Sequence, residues 1–216
     1  HETVGVIEAL GHRAAERWGV REGDRVAVEV FMSCRDCPPC QRGEYRRCER
    51  HGLADMYGMI DVDKAPGLWG GYATYQYLHA DSMVLPVPAS LRPEVAVAFN
   101  PLGAGIRWGA SVPGTKAGDV VAVLGCGIRG LSAAAAAKEA GASFVMVTGA
   151  GPHDHPRLEQ AKRFGADLVV DVLAEDPTAR LRAEASVAGA DVVVDVTAKA
   201  PAAFIQGLAL VRPGGT

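Results

Sequence analysis

Two patterns of hydrophobic and polar positions divide the chain. Beyond about residue 99, short apolar runs alternate with longer amphipathic or Ala-rich stretches. The runs are Val120 to Leu124, "SFVMVTG" after Ala142, "DLVVDV" from Asp167, and "ADVVVDVT" ending at Thr197. Between them lie the Ala-rich stretch after Gly130, "HPRLEQAKRFGA" with Asp154 as its expected N-cap, and Pro201 to Val211 before the turn "RPGGT". Short apolar runs bounded by turn residues read as buried strands, and the longer stretches read as helices. Their alternation predicts βαβ units and a parallel sheet. The N-terminal half differs. "HETVGVIEALG", "GDRVAVEV" and "GGYATYQYL" are short, Gly-punctuated and rich in valine and tyrosine, which suits a small antiparallel β domain with an inserted loop. The character changes near Phe99, where "FNPLGAGIRWGASV" opens a helix into the second half. The expected domains are therefore 1–98 and 99–216.

Composition narrows the class without changing this picture. The chain has 216 residues, 49% of them hydrophobic, and a formal net charge of −3. That charge gives no reason to expect nucleic acid or an anionic membrane as partner. No apolar run approaches about 20 residues, so no spanning helix is predicted, and a cytoplasmic location is expected. His12, His51 and His79 read as solvated surface or loop residues, and the arginines around Cys48 as a solvated lobe.

Four of five cysteines stand in "CRDCPPCQRGEYRRC", with spacing C-x2-C-x2-C-x7-C. Short C-x2-C turns deliver pairs of sulfurs to one point, as tetrahedral zinc requires. An iron–sulfur cluster shares the first three spacings, but its fourth cysteine usually follows closely and precedes proline. Disulfides remain the third reading, although adjacent C-x2-C pairs close loops too short to staple much. Zinc on Cys34, Cys37, Cys40 and Cys48 is the favoured reading. A closed shell of four sulfurs is structural and leaves the chemistry elsewhere.

The run Val120 to Leu124 enters Gly125-x-Gly127-x-x-Gly130 and then a helical stretch. Strand, glycine turn and helix in that order fit a dinucleotide pyrophosphate. The cofactor-binding candidates are Gly125, Gly127, Ile128, Arg129, Gly130, Gly149, Arg157 and Thr197. NAD-preferring domains place an acid at the end of the second strand. Gly149 stands there, with His153, His155 and Arg157 following, so NADP is favoured over NAD. Asp154 as a substitute acid is the alternative. Arg129 offers its donors to a pyrophosphate or a substrate carboxylate, or points to solvent. Cys126 reads as a small packing residue.

In that order, "HETVG", "GDRVAV", the four-cysteine loop, "GGYATY" and "VLGCGIRG" resemble the zinc-dependent medium-chain dehydrogenases, which include alcohol, sorbitol and threonine dehydrogenases. The resemblance implies an α/β protein: a partial GroES-like β domain carrying a structural-zinc loop, followed by a partial Rossmann sheet. It implies an NAD(P)-dependent enzyme moving hydride between a nicotinamide and a small alcohol or carbonyl substrate, and a homo-oligomer. It also implies truncation at both ends. His1 and Glu2 are similar to a catalytic-zinc ligand and its neighbouring carboxylate. Asn100 stands where the family has a cysteine or glutamate, and a neutral amide is a poor zinc donor. That departure keeps open a reductase without catalytic zinc, and a non-catalytic NADP(H)-binding and zinc-binding sensor.

Overall fold

The computed structural model describes residues 1–216, which divide into two compact units between Asn100 and Pro101. In the first unit, β1 (Thr3–Val6), β2 (Arg25–Val28) and β3 (Val84–Pro86) form an antiparallel sheet in the order β1-β2-β3. A short helix, α1 (His12–Trp18), links β1 to β2 and ends on Gly19 in the left-handed region. The cysteine loop follows β2 and contains α2 (Pro38–Gln41) and a 3-10 turn, Tyr45–Arg47. Two small apolar clusters hold this unit: Val28, Met32, Tyr57, Ile60 and Trp69 in one, and Ile7, Val20 and Val26 in the other.

"GGYATYQYL" is not a strand. The segment forms bends and makes one backbone bond to its surroundings, Tyr77 N–H to Leu68 O. Alternation creates a strand only where a neighbouring edge supplies a ladder, and the third position in the sheet goes to Val84–Pro86, on the far side of β2 from β1. Tyr72, Tyr75 and Tyr77 are left exposed.

After a single helical turn, α3 (Pro93–Ala96), the second unit begins inside α4 (Phe99–Ile106) and continues through a π-helical turn, Arg107–Ser111. The elements β4 (Val120–Leu124), α5 (Ile128–Glu139), β5 (Phe144–Gly149), α6 (His155–Arg163), β6 (Leu168–Asp171), α7 (Pro177–Ala185), β7 (Val192–Asp195) and α8 (Pro201–Leu210) then alternate. All four strands are parallel, in the order β6-β5-β4-β7. Relative to β4 as the first strand, this is the 3-2-1-4 order of a doubly wound dinucleotide-binding sheet, with its switch point between β4 and β7. Val121, Ala122, Val123 and Leu124 are inaccessible to solvent because helices cover both faces. Thr216 continues the ladder beyond β7: its N–H donates to Asp191 O, and its carbonyl accepts from Val193 N–H. No helix is long and apolar enough to cross a membrane.

Candidate metal centre and dinucleotide site

The cysteine loop brings its four thiols together. Cys34 follows β2, Cys37 caps α2, Cys40 lies within α2, and Cys48 follows the 3-10 turn. Pro38 and Pro39 occupy the first turn of α2, where proline's fixed φ suits a helix start. The four sulfurs lie within 4.8 Å of one another, none in a disulfide. Cys34 Sγ and Cys40 Sγ are 3.9 Å apart. A tetrahedron with metal–sulfur bonds of about 2.3 Å has edges of about 3.8 Å, so the donor set fits zinc. Burial alone would push the Cys48 thiol up. The backbone N–H groups of Cys34, His51 and Arg50 outweigh it and hold the thiol down to about 6, which favours the thiolate a metal binds.

Beside this loop lies a network that sequence reasoning missed. His51 is buried, not solvated as expected: its Nδ1 lies 2.9 Å from Asp55 Oδ2 and its Nε2 2.8 Å from Asp81 Oδ2. Burial lowers the His51 pKa, but the hydrogen bonds to Asp81 and then Asp55 outweigh it and raise the pKa overall. Arg17 Nη2 donates to Asp81 Oδ1 at 2.9 Å, and Lys64 Nζ to Asp55 Oδ1 at 2.8 Å. His51, His79 and Asp81 also place ligand atoms within 4.8 Å. Both His51 nitrogens already face carboxylates, and Arg17 and Arg50 lie against Asp81. This group is therefore an ion-pair network anchoring the lobe. Its partners lie up to 64 residues apart, so no local pattern exposes it.

His1 and Glu2 lie side by side, with Nδ1 3.5 Å from Oε1. A catalytic zinc takes three protein donors. Neither of the two groups of three or more converging His, Cys, Asp or Glu side chains includes His1 or Glu2. These two residues do not by themselves complete such a site, and Asn100 is no substitute for a charged donor.

In the second unit the glycine turn has the required geometry. Gly125 sits at φ +103°, and a side chain on Gly130 would overlap the Gly125 carbonyl, so strand and helix meet backbone to backbone. Nothing lies within 4 Å of where a Gly127 side chain would stand, and Ile128 opens α5 beside that space. Thr197 packs its methyl 3.3 Å from the Cβ position of Gly125, joining the end of β7 to the turn. Cys126 is buried; burial, then the Asp154 carboxylate, push its thiol up to about 11, which leaves it an inert packing residue.

At the end of β5, Gly149 has no carboxylate, as expected. Asp154 holds the N-cap position of α6, but its Oδ2 turns back to accept from Ala150 N–H at 2.9 Å instead of capping the helix. Its Oδ1 pairs with Arg157 Nη1 at 3.0 Å. His155 Nε2 pairs with Asp171 Oδ2 at 2.8 Å. The Gly151 N–H, then His155 and the Leu173 N–H, lower the Asp171 pKa to about 2. Two of the three cationic candidates near Gly149, His155 and Arg157, thus already have acidic partners.

A cavity of about 400 Å³ opens at the carboxyl end of β7, lined by Trp108, Val112, Pro113, Arg129, Asp195 and Thr197 among others. The Arg129 guanidinium stands 5.5 Å from the Trp108 ring centroid.

Residues 1–89 match the alcohol dehydrogenase GroES-like domain, and residues 129–216 match the zinc-binding dehydrogenase domain. A Mycobacterium tuberculosis protein named a probable alcohol dehydrogenase is 70% identical over all 216 residues, which span 59% of that protein. An erythritol/L-threitol dehydrogenase of Mycolicibacterium smegmatis is 32% identical over 82% of this chain and 45% of its own length. Among solved structures, an Escherichia coli oxidoreductase/dehydrogenase of unknown specificity superposes with a TM-score of 0.81 and 29% identity, over the whole chain and 57% of its own. Two others carry nicotinamides. A Sinorhizobium meliloti protein was solved with NADP at 26% identity and an E. coli CFT073 protein with NADH at 25%; each has a TM-score of 0.73 over all of this chain and 58% of its own. Two domain matches in family order, a four-sulfur cluster and a doubly wound sheet agree, and the chain belongs to the zinc-dependent medium-chain dehydrogenases.

Proposed function

We propose that the full protein is an NAD(P)-dependent dehydrogenase that moves hydride between a small secondary alcohol or polyol and the corresponding carbonyl. One observation carries the reading: the Gly125–Gly130 turn lies at the switch point of the parallel sheet, with the carboxyl end of β7 beside it. Ligands of such sheets bind outside the carboxyl ends of the strands at that point. When bound, the nicotinamide supplies hydride exchange with an alcohol or carbonyl carbon. The backbone N–H groups opening α5 hold the pyrophosphate, Gly127 leaves space for its approach, and Thr197 borders the cofactor at β7. In the other unit Cys34, Cys37, Cys40 and Cys48 hold a structural zinc, and His1 and Glu2 contribute to a catalytic centre.

NADP is the proposed preference, because Gly149 places no carboxylate against a 2′-phosphate and the exposed Arg157 stands in the first turn of α6. The rival is NAD. Asp154 supports it, since that carboxylate is fixed at the end of β5 by the Ala150 N–H. The decisive experiment measures NADPH and NADH dissociation constants and carbonyl reduction by the full-length protein. The proposal expects tighter NADPH binding that falls about tenfold in Arg157→Ala, the scale of one lost charge-assisted contact. Tighter NADH binding, lost in Asp154→Ala, would establish the rival. Absence of any nicotinamide-dependent turnover on a panel of alcohols and ketones would leave only the sensor reading. The homo-oligomer belongs to the same proposal and is checked by light scattering on the full-length protein.

A further inference from the structure

We infer that Asp81 is a positioning residue for the four-thiol metal site: with Ser82 it clamps both ends of the cysteine loop and holds the donors together around the metal. The inference rests on the structural-zinc reading above, not on the reaction.

Asp81 and Ser82 stand just before β3, and the sheet fixes them. The Ser33 N–H donates to Asp81 O at 2.9 Å, and the Glu29 N–H to Met83 O at 3.0 Å. The Asp81 N–H donates to His79 Nδ1 at 3.0 Å, and Ser82 Oγ lies 2.6 Å from the Tyr57 hydroxyl. Both residues are buried. They form a rigid post beside the loop.

The loop grips this post at each end. Ser33 and Arg35 flank Cys34, the first thiol. Arg35 Nη2 donates to Ser82 O at 3.4 Å, and Arg35 holds a left-handed φ of +62°. Such a backbone persists in a residue other than glycine only where its surroundings fix it. Arg50 and His51 follow Cys48, the last thiol. Arg50 Nη1 reaches Asp81 Oδ2 at 3.4 Å, and His51 Nε2 lies 2.8 Å from the same oxygen. The Gly52 N–H returns to Cys48 O at 2.8 Å, closing the turn that carries both side chains. Arg17 Nη2 donates to the other carboxylate oxygen at 2.9 Å and sets the plane of the group. Cys37 and Cys40 lie between the two clamped ends. Removing the Asp81 charge therefore loosens the segment after Cys48 while all four thiols remain. Side chains that orient metal ligands without ligating change metal affinity about 10- to 100-fold.

The test loads the full-length protein with Co2+ in place of zinc. The thiolate-to-cobalt absorption, taken as the difference from Cys48→Ser, is followed after excess EDTA is added. Asp81→Asn should show the wild-type band before chelation and then lose Co2+ about tenfold faster or more. Arg50→Gln, which removes one exposed arm of the clamp, should lose it faster by a smaller factor. Val26→Ala leaves the clamp intact and removes side chain from the lobe's other apolar cluster, so it lowers stability alone. It should lose Co2+ near the wild-type rate although its denaturation midpoint falls. A wild-type rate in Asp81→Asn, or an equal acceleration in Val26→Ala, would overturn the inference and leave Asp81 a structural residue only. If Asp81→Asn does not fold, Arg50→Gln decides, and a wild-type rate there overturns the inference. A wild-type protein without the band would sink the zinc reading and the inference with it; a band with equal rates sinks the inference alone.

Discussion

The two units of this chain are stabilised by opposite means. From Pro101 onward, the sheet is an aliphatic slab: Val121, Val123, Val145, Val147 and Val170 are wholly buried, and polar groups such as Asp171 and Asp195 gather at the strand ends. Before that boundary, a three-stranded sheet supports only two small apolar clusters. Its interior instead contains four converging thiols and the His51–Asp81 ion pair, with Arg17, Arg50 and Lys64 around it. A small apolar core supplies little net stability, so ligation and paired charge carry more of the load. The difference teaches where each unit is vulnerable. The sheet tolerates changes in charge and metal, whereas the lobe depends on both.

The largest effect that would sharpen this contrast is loss of the thiol cluster. Structural zinc contributes on the order of 10–16 kcal/mol in small zinc domains. Cys48→Ser should therefore release the metal and make residues 34–56 sensitive to proteolysis, while amide exchange in β4 and β5 stays slow. Equal loss of protection in both units would break the comparison.

Removing the charge at Asp81 should matter next. Asp81 and His51 are both nearly inaccessible, and breaking a buried pair by deleting one partner costs about 3 kcal/mol or more. Asp81→Asn should lower the denaturation midpoint of the lobe, read through Trp69 fluorescence. An unchanged midpoint would mean that the network is ornamental and the two apolar clusters suffice.

The smallest effect is acid sensitivity at the edge of the sheet. Asp171 has its pKa lowered to about 2 by the Gly151 N–H and His155, below the ordinary carboxylate value of about 3.9. A depressed folded-state pKa contributes stability that is present above the ordinary value and lost as pH falls toward the folded one. Wild type should therefore be more stable than Asp171→Asn at pH 6. The gap should narrow between about pH 4 and pH 2, as followed by urea denaturation. A gap that persists unchanged to pH 2 would assign the effect to packing instead of charge.

Legibility in the sequence followed the range of the interactions. Val120–Leu124, the glycine turn and α5 are consecutive, and each glycine's role depends on its immediate neighbours, so the dinucleotide turn could be read directly. The cysteine spacing was equally local, since Cys34 to Cys48 close on themselves within one loop. "GGYATYQYL" misled because a strand also needs a partner, and β2 is already flanked by β1 and β3. Asp154 was placed at the head of α6, but its carboxylate serves Ala150 and Arg157 instead of the helix.

By itself, then, the sequence determined the parallel sheet, the glycine turn between β4 and α5 and the grouping of the four thiols, because periodicity and short spacings encode contacts between near neighbours. Only the tertiary structure decided that His51 is buried against Asp81, that His155 beside Gly149 pairs with Asp171, and that Arg129 lies over Trp108. Each of those pairings joins side chains on different elements. Charge and exposure there are set by what folding brings together from a distance, which no short stretch of residues contains.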